Sequence, residues 1–200
     1  MTTATGAKRA ITRADILDPA VYARERRELK RKLSEMKRSR RVEVGPFVTF
    51  YFENYETMWH QVHEMLHIER GGEAQIADEL AAYNPLIPQG DALIATVMFE
   101  IDDPVQREKA LARLGGVEDR MYLSFAGERV KCVADPTREN STPDGKASSV
   151  QFVKFPFTAG QKAAFRKPGQ QVVVGIDHPN YGHMAVMPEA VRAALAEDLA

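Results

Sequence analysis

Residues 54–70 of the chain read NYETMWHQVHEMLHIER, and this stretch predicts the helix around which the fold is organised. Asn54 suits the N-cap position, where its side chain can accept a hydrogen bond from a free backbone amide, and Gly71-Gly72 predicts the end of the helix. On a helical wheel centred on Val62, the apolar residues form one stripe, made of Tyr55, Met58, Trp59, Met65 and Leu66. The pattern therefore predicts an amphipathic helix packed on the core by that stripe.

Another face of the same helix matches the H-E-x-x-H pattern of zinc hydrolases. His63 and His67 are four residues apart, so both imidazoles can reach one ion, and Glu64 would be the base that activates a metal-bound water. His60 lies one turn upstream. On the helical wheel this face points away from the main core, so we expect the face to lie at the surface or at a protein interface.

A catalytic zinc site needs a third protein ligand, and no motif after the helix supplies one. The metzincin pattern requires Gly at position 70 and His at position 73, where this chain has Arg70 and Glu73. The glutamate of thermolysin-like enzymes is missing as well, because residues 83–90 contain no acid. The remaining candidates lie in the same helix of a second subunit or in a second histidine cluster, which holds Asp177, His178 and His183.

Three interpretations of the histidine helix stay open. It can belong to a zinc-dependent hydrolase with Glu64 as the base, or it can be a metal-free polar face that contacts a partner. It can also bind zinc or iron without catalysis, and the candidate ligands are then His60, His63, His67, His178 and His183. Glu64 and His67 also fit the E-x-x-H motif of di-iron helices, but the sequence has no second copy, which excludes the four-helix version.

The composition bounds the class of protein. Two hundred residues suit one domain, and a single cysteine excludes an internal disulfide framework and a cysteine-based zinc cluster. Cys132 lies in a predicted strand, and we expect it to be a buried small hydrophobe. No apolar run resembles a secretory signal or a membrane span, so the chain is expected to be cytoplasmic.

The net charge of −1 hides a basic segment. Residues 24–41 hold ten Lys or Arg and three Glu, a balance of +7, which leaves −8 for the rest of the chain. The segment lies in a helix predicted from Pro19, after the N-cap Asp18, to about Ser39. A narrow apolar stripe of Tyr22, Leu29, Leu33 and Met36 can dock this helix, which can also form an extended arm.

Basic side chains of this helix are candidates for contact with an acidic partner, namely Arg26, Arg27, Arg31 and Lys32. Nucleic acid is disfavoured as the partner, because the segment has no recognised nucleic-acid motif and no interleaved aromatic residues.

The rest of the chain alternates strand and helix patterns. Residues 41–51 predict one strand with a bend at Gly45-Pro46, residues 93–101 a central strand, and residues 121–133 a hairpin around Ala126-Gly127. Two segments predict loops, 135–146, expected to be mobile, and 178–183. The predicted fold is α+β, a single domain with a mixed or mainly antiparallel sheet covered by helices and a long basic N-terminal helix.

Several motifs along the chain match one known pattern. They are Phe52-Glu53-Asn54, Glu64-Met65-Leu66, Ile68-Glu69, residues 83–88, residues 95–101, Val150-Gln151-Phe152, and Ile176-Asp177-His178-Pro179 with Tyr181. On these residues the chain, from about Ile11 onward, resembles the bacterial family called domain of unknown function 3501. The family pattern reads Gln-Glu-Met-Leu-Arg where this chain has His63-Glu64-Met65-Leu66-His67. The resemblance therefore favours the matching residues Glu64, Asp177, His178 and Tyr181 as functional candidates.

The resemblance implies an accessory role in redox or peroxide handling. Genes of this family often lie beside those of a rubrerythrin-like protein and an iron–sulfur oxidoreductase of the heterodisulfide-reductase type. We therefore expect a non-catalytic, partner-binding protein of such a redox system, present as a homo-oligomer. Metal binding through His63 and His67, and zinc-dependent hydrolysis with Glu64 as the base, are the alternatives.

Overall fold

The computed structural model describes residues 8–137 and 140–200, which form an α+β fold with two antiparallel sheets. The α-helices are α1 (Pro19–Lys37), α2 (Tyr55–Glu69), α3 (Gly72–Tyr83), α4 (Pro104–Leu111), α5 (Ala159–Phe165) and α6 (Glu189–Ala196). The strands are β1 (Arg41–Val44), β2 (Val48–Phe52), β3 (Ala92–Phe99), β4 (Met121–Phe125), β5 (Glu128–Lys131), β6 (Val133–Ala134), β7 (Val150–Pro156), β8 (Val173–His178) and β9 (Tyr181–Val186). Residues 138–139, within the segment predicted as a mobile loop, and residues 1–7 of the N-terminus lie outside the described residues.

Two sheets share the main core. The first has the strand order β1-β2-β3-β7-β6 and the second β5-β4-β8-β9, and neighbouring strands pair antiparallel throughout. Side chains from both sheets belong to one buried cluster, among them Phe50, Phe155, Leu123 and Ile176. The predicted fold class is confirmed. Alternate residues in the strands of each sheet are apolar. The two sheets pack face to face because this arrangement buries both apolar faces in one layer.

A second buried cluster lies on the other face of β3, under α2. Met58 and Val62 of α2 pack there with Ile94 of β3, and Trp59 and Leu66 flank them. The apolar stripe predicted from the helical wheel is therefore confirmed except for Met65, which is not part of this cluster. Because β3 is covered on both faces, its sequence is almost continuously apolar, as expected of a central strand.

The N-terminal helix α1 packs along α2. Its N-cap is the predicted one, since the Asp18 carboxylate accepts hydrogen bonds from the amides of Ala20 (2.8 Å) and Val21 (3.4 Å). Tyr22 is 2% exposed and is the buried anchor of the helix. The turn after α1 places Arg40 in the interior, where its guanidinium donates to the carbonyl of Phe52 (3.0 Å) and forms an ion pair with Asp198.

One strand prediction and one loop prediction are corrected by the strand pairing. Residues 41–51 are not one bent strand but a hairpin, because Gly45 adopts a positive φ of 74° and lets the chain reverse between β1 and β2. Residues 178–183 are not a loop, since His178 and Tyr181 pair at the end of the β8–β9 hairpin. The hairpin at Ala126-Gly127 is confirmed, with φ of 52° and 79° at the two turn residues.

Tyr181 ties the two sheets together. Its hydroxyl donates a 2.7 Å hydrogen bond to the carbonyl of Val44 at the end of β1, and its ring lies 4.7 Å from that of Phe47. A Cβ added at Gly45 would lie 2.5 Å from the Tyr181 hydroxyl, so only glycine allows this approach. Burial raises the pKa of Tyr181, which keeps the hydroxyl a donor at neutral pH.

The Tyr181→Phe variant should be destabilised by about 1–2 kcal/mol, because the buried Val44 carbonyl loses its donor. Tyr51→Phe is the matched control, since the Tyr51 hydroxyl bonds to Glu100 at the surface, and we expect a change of less than about 0.5 kcal/mol there. Urea unfolding measures both values. Equal changes in the two variants would contradict the role given to Tyr181.

Candidate functional site

The histidine motif lies in the middle of a regular helix. Asn54 and Thr57 cap α2 reciprocally, each side chain accepting a 2.9 Å hydrogen bond from the other residue's amide. The helix ends at Glu69, and its C-cap is Arg70, which adopts a left-handed conformation with φ 56° one residue before the predicted Gly71. The His/Glu face of α2 turns toward α1. Because α1 covers it, a surface position is wrong for His60 and His63, which are only 6% and 2% exposed.

Both ring nitrogens of His63 are hydrogen-bonded. Nδ1 lies 2.7 Å from the Trp59 carbonyl, and Nε2 lies 3.0 Å from the backbone amide of Leu17. A carbonyl only accepts and an amide N–H only donates, so the geometry requires a neutral imidazole with its proton on Nδ1. Burial lowers the pKa of His63, an effect that the bond to Trp59 partly offsets. A metal could reach Nε2 only if the Leu17 amide were released.

Glu64 connects α2 to α1 through four hydrogen bonds or ion pairs. One carboxylate oxygen accepts from the Tyr22 hydroxyl and from Arg26 Nε, both at 2.7 Å. The other accepts from Arg26 Nη2 and from Lys30 Nζ, both at 2.8 Å. The Arg26 guanidinium holds the pKa of Glu64 well below its usual range, with help from Lys30 and Tyr22. A carboxylate held so strongly in its charged form is a weak proton acceptor.

The Tyr22 ring occupies the space between three histidines. The ring centroids of His60, His63 and His67 lie 6.2, 4.9 and 5.9 Å from that of Tyr22. His60 Nε2 is 3.5 Å from the Tyr22 hydroxyl, at the limit of a hydrogen bond. Burial lowers the pKa of His60, although the nearby Glu64 carboxylate opposes the shift. The histidine face is therefore a packing surface for an aromatic side chain of α1.

The contacts of the buried histidines and of Glu64 make the stability of the α1–α2 packing depend on pH. A buried neutral histidine has a lower pKa in the folded protein than in the unfolded chain, so its contribution is complete above the ordinary histidine pKa, about 6.5. It is lost as the pH falls from there toward the folded pKa. The Glu64 carboxylate acts in a more acidic range, because its contribution is present above the usual glutamate pKa and is lost only below it.

The second histidine cluster shapes the β8–β9 hairpin. His178 Nε2 is 3.3 Å from the Gly115 carbonyl, and its Nδ1 accepts from the Asn180 amide at 3.2 Å. Asp177 is exposed and pairs with Arg129 at 3.1 Å. The exposed His183 ring contacts the Tyr181 ring at an interplanar angle of 60°, with centroids 4.4 Å apart.

No hydrogen bond in the described part of the chain joins the two histidine clusters. His63 bonds to Leu17 and Trp59, whereas His178 bonds to Gly115 and Asn180, so the hydrogen-bond partners of the two clusters have no residue in common. Within residues 8–137 and 140–200, no three His, Cys, Asp or Glu side chains are grouped so as to hold a metal ion. The candidate ligands and the Glu64 base remain predictions to be tested by measurement.

Cys132 is buried, as predicted. Its thiol donates a 2.9 Å hydrogen bond to the Glu118 carbonyl, and burial raises its pKa to about 11. A thiol of that pKa is almost entirely protonated at neutral pH, so Cys132 lacks the thiolate that nucleophilic chemistry requires.

A cavity of about 750 Å³ lies next to the histidine helix, and sequence reasoning missed it. It is bounded by residues 13–22 on one side and by α2 and α3 on the other. Apolar side chains line it, among them Ile16, Leu17, Pro19, Leu66 and Ile76, and the rings of Tyr22, His63 and His67 also face it. The only sequence signal was the apolar pattern of Ile16, Leu17 and Ile76, which equally suits a filled core.

Replacing Glu64 by Ala should destabilise the protein by about 1–3 kcal/mol, because Arg26, Lys30 and the Tyr22 hydroxyl lose a shared acceptor. Glu28→Ala removes an exposed acid that pairs with Arg31 within α1, and we expect a change of less than about 0.5 kcal/mol. Chemical denaturation of both variants measures the difference. A Glu64→Ala protein as stable as the wild type would show that Glu64 does not hold α1 in place.

No helix in the described part of the chain is both long and apolar enough to cross a membrane. Comparison with curated proteins gave no match. A crystal structure at 1.90 Å of a novel protein of unknown function from Burkholderia pseudomallei K96243 is similar to this chain, with 38% identity and a TM-score of 0.89. The similarity covers 96% of this chain and 100% of that one. The family model described as protein of unknown function (DUF3501) matches residues 10–199, so the chain belongs to the DUF3501 family.

Proposed function

We propose that the protein is a non-catalytic cytoplasmic accessory protein that binds a partner of a redox system through the outer face of α1. One observation carries the proposal: ion pairs with Glu64 fix one side of α1 against α2 and leave a row of basic side chains on the other side. The residues that resembled a reaction centre support it, because Glu64 and His63 take part in internal contacts. The rubrerythrin-like protein and the iron–sulfur oxidoreductase implied by the family resemblance are the candidate partners.

The basic residues of α1 divide into two groups. Arg26 and Lys30 reach inward to Glu64, so Arg26 leaves the set of partner-binding candidates. Arg27, Arg31 and Lys32 remain exposed, with 58% of the Arg31 side chain and 66% of the Lys32 side chain accessible. Arg26 and Lys30 are four residues apart on one side of the helix, and Arg27 and Arg31 are four residues apart on another side. Basic residues for both sides are therefore adjacent in the sequence.

The outward residues can exchange their present partners for those of another protein. Arg31 pairs with Glu28 at 2.7 Å and with Glu35 at 3.1 Å, and Lys32 lies 3.9 Å from Glu28. Such exposed pairs within one helix contribute little to stability, so little is lost when a partner carboxylate replaces Glu28 or Glu35. The exposed cations of this helix can also raise the rate of association with an acidic surface.

Reversing Arg27 and Lys32 to Glu should weaken binding to the rubrerythrin-like or the iron–sulfur partner by about tenfold or more at low salt, because attraction becomes repulsion. The matched control reverses Lys109 and Lys167, two exposed lysines outside α1, and should leave binding unchanged. Surface plasmon resonance at two salt concentrations measures both variants. Failure of the wild type to bind either partner, or equal loss in the control, would refute the proposal.

A zinc or iron site remains the alternative, and one observation favours it: His63 and His67 face the same cavity. Elemental analysis of protein purified without a histidine tag tests it. The alternative predicts close to one equivalent of metal in the wild type and in His178→Ala, and loss of the metal in His67→Ala. Less than about a tenth of an equivalent in all three would end it. If metal is present, Glu64→Gln tests the zinc-hydrolase variant, which predicts retained metal and lost activity.

The expected homo-oligomer is part of the proposal. The outer face of the edge strand β9 exposes Met184 and Val186, which are 69% and 58% accessible. An exposed edge strand with apolar side chains is suited to pairing with a second copy of the chain. Light scattering that gives only the monomer mass at high protein concentration would remove this part of the proposal.

A further inference from the structure

We propose that the cavity between residues 13–22 and α2–α3 is a binding site for a small molecule with an apolar body and a single carboxylate, of the medium-chain fatty acid class. The site is independent of the partner surface, because none of Arg27, Arg31 and Lys32 lines the cavity, which opens beside the N-terminal end of α1.

The walls of the cavity select an apolar body. Ile16, Leu17 and Pro19 form one wall, and Leu66 and Ile76 form the facing wall. The volume of about 750 Å³ is in the range of small-molecule sites, which run from about 300 to about 1,000 Å³. Polar groups of the backbone at this wall are partly satisfied already, since the Leu17 amide donates to His63. An apolar ligand therefore displaces water without breaking this hydrogen bond.

The charged groups of the lining select the head group. The two acids are compensated, because Glu73 pairs with Arg13 (Nη2–Oε2 2.7 Å) and Asp18 accepts from the first amides of α1. Arg70, in contrast, forms no ion pair with any carboxylate of the described chain, although its side chain also lines the cavity. An uncompensated guanidinium beside an apolar cavity is complementary to a carboxylate, which it can bind through two hydrogen bonds.

The charge balance also argues against other head groups. A cationic ligand would face Arg70 and would find the carboxylates of Asp18 and Glu73 already compensated. A single guanidinium matches one negative charge, so a monocarboxylate fits better than a dianion. A neutral alcohol would gain from the apolar walls but would lack the ion pair with Arg70.

The chain contains a reporter and a mild variant for the test. Trp59 is the single tryptophan, and its ring lies 4.0 Å from that of His63, which lines the cavity, so its fluorescence should respond to a ligand. Arg70 has a positive φ of 56°, a conformation that Asn tolerates better than most residues. Arg70→Asn therefore removes the charge with little strain at the end of α2.

The experiment titrates the wild-type protein with decanoate, octanoate, 1-decanol and decylammonium below their aggregation limits, followed by Trp59 fluorescence and calorimetry. We expect saturable binding of one decanoate. Octanoate should bind about tenfold more weakly, because each buried methylene contributes a factor of about three to four. 1-Decanol should bind more weakly than decanoate, and decylammonium more weakly still.

Three variants separate the effect of the walls from that of the head group. Arg70→Asn should weaken decanoate about fivefold or more and leave 1-decanol unchanged, whereas Ile76→Phe, which fills the cavity, should weaken both. Lys167→Asn removes a distant exposed charge and should change neither. No saturable binding of decanoate, or wild-type binding in Arg70→Asn, would overturn the proposal. Both of these measurements can be made even if Ile76→Phe fails to fold. Neither measurement tests the binding of a partner protein by α1.

Discussion

The four contacts of the Glu64 carboxylate determine how the N-terminal part of the molecule is arranged. They join α2, which is packed on the first sheet, to Tyr22, Arg26 and Lys30 of α1. Two cations and a phenol share one carboxylate, so its removal leaves two like charges close together as well as an unpaired hydroxyl. The covered histidines, the orientation of the basic helix and one wall of the cavity all depend on this junction.

His63 extends the junction to the segment before α1. Its Nε2 accepts the Leu17 amide, and Leu17 lines the cavity one residue before the N-cap Asp18. The same imidazole donates to the Trp59 carbonyl within α2, so one side chain connects α2 to the segment before α1. A neutral, doubly hydrogen-bonded histidine is a structural connector, and its two hydrogen bonds account for a polar side chain at a buried position.

The sequence predicted well those features that depend on neighbouring residues. The periodicity of Met58, Val62 and Leu66 predicted the buried face of α2, and the caps Asn54 and Asp18 predicted the starts of two helices. It did not predict what covers the histidines, because the contacts of Glu64 with Arg26 and of His63 with Leu17 span 38 and 46 residues of sequence. Such pairings follow from the tertiary arrangement. The H-E-x-x-H motif is compatible both with a metal site and with a set of internal structural contacts.

The difference between local and tertiary contacts also explains why local sequence patterns did not predict two of the hairpins. The reversal at Gly45 brings this residue against Tyr181 of the other sheet, and no local signal predicts that contact. The cavity is a space left between three segments, and the apolar residues that line it give a sequence pattern that a filled core would also give. The two proposed binding sites likewise rest on tertiary features, the exposed side of α1 and the cavity, and not on the H-E-x-x-H motif.

The most direct test of the junction between α1 and α2 is the protonation state of His63, read from long-range ¹H–¹⁵N correlation spectra with His63→Gln for assignment. We predict a neutral ring with the proton on Nδ1, which stays neutral below the ordinary histidine pKa of about 6.5 and does not change when zinc is added. A ring protonated on Nε2, an ordinary titration near pH 6.5, or a shift of Nε2 on addition of zinc would contradict the structural role of His63.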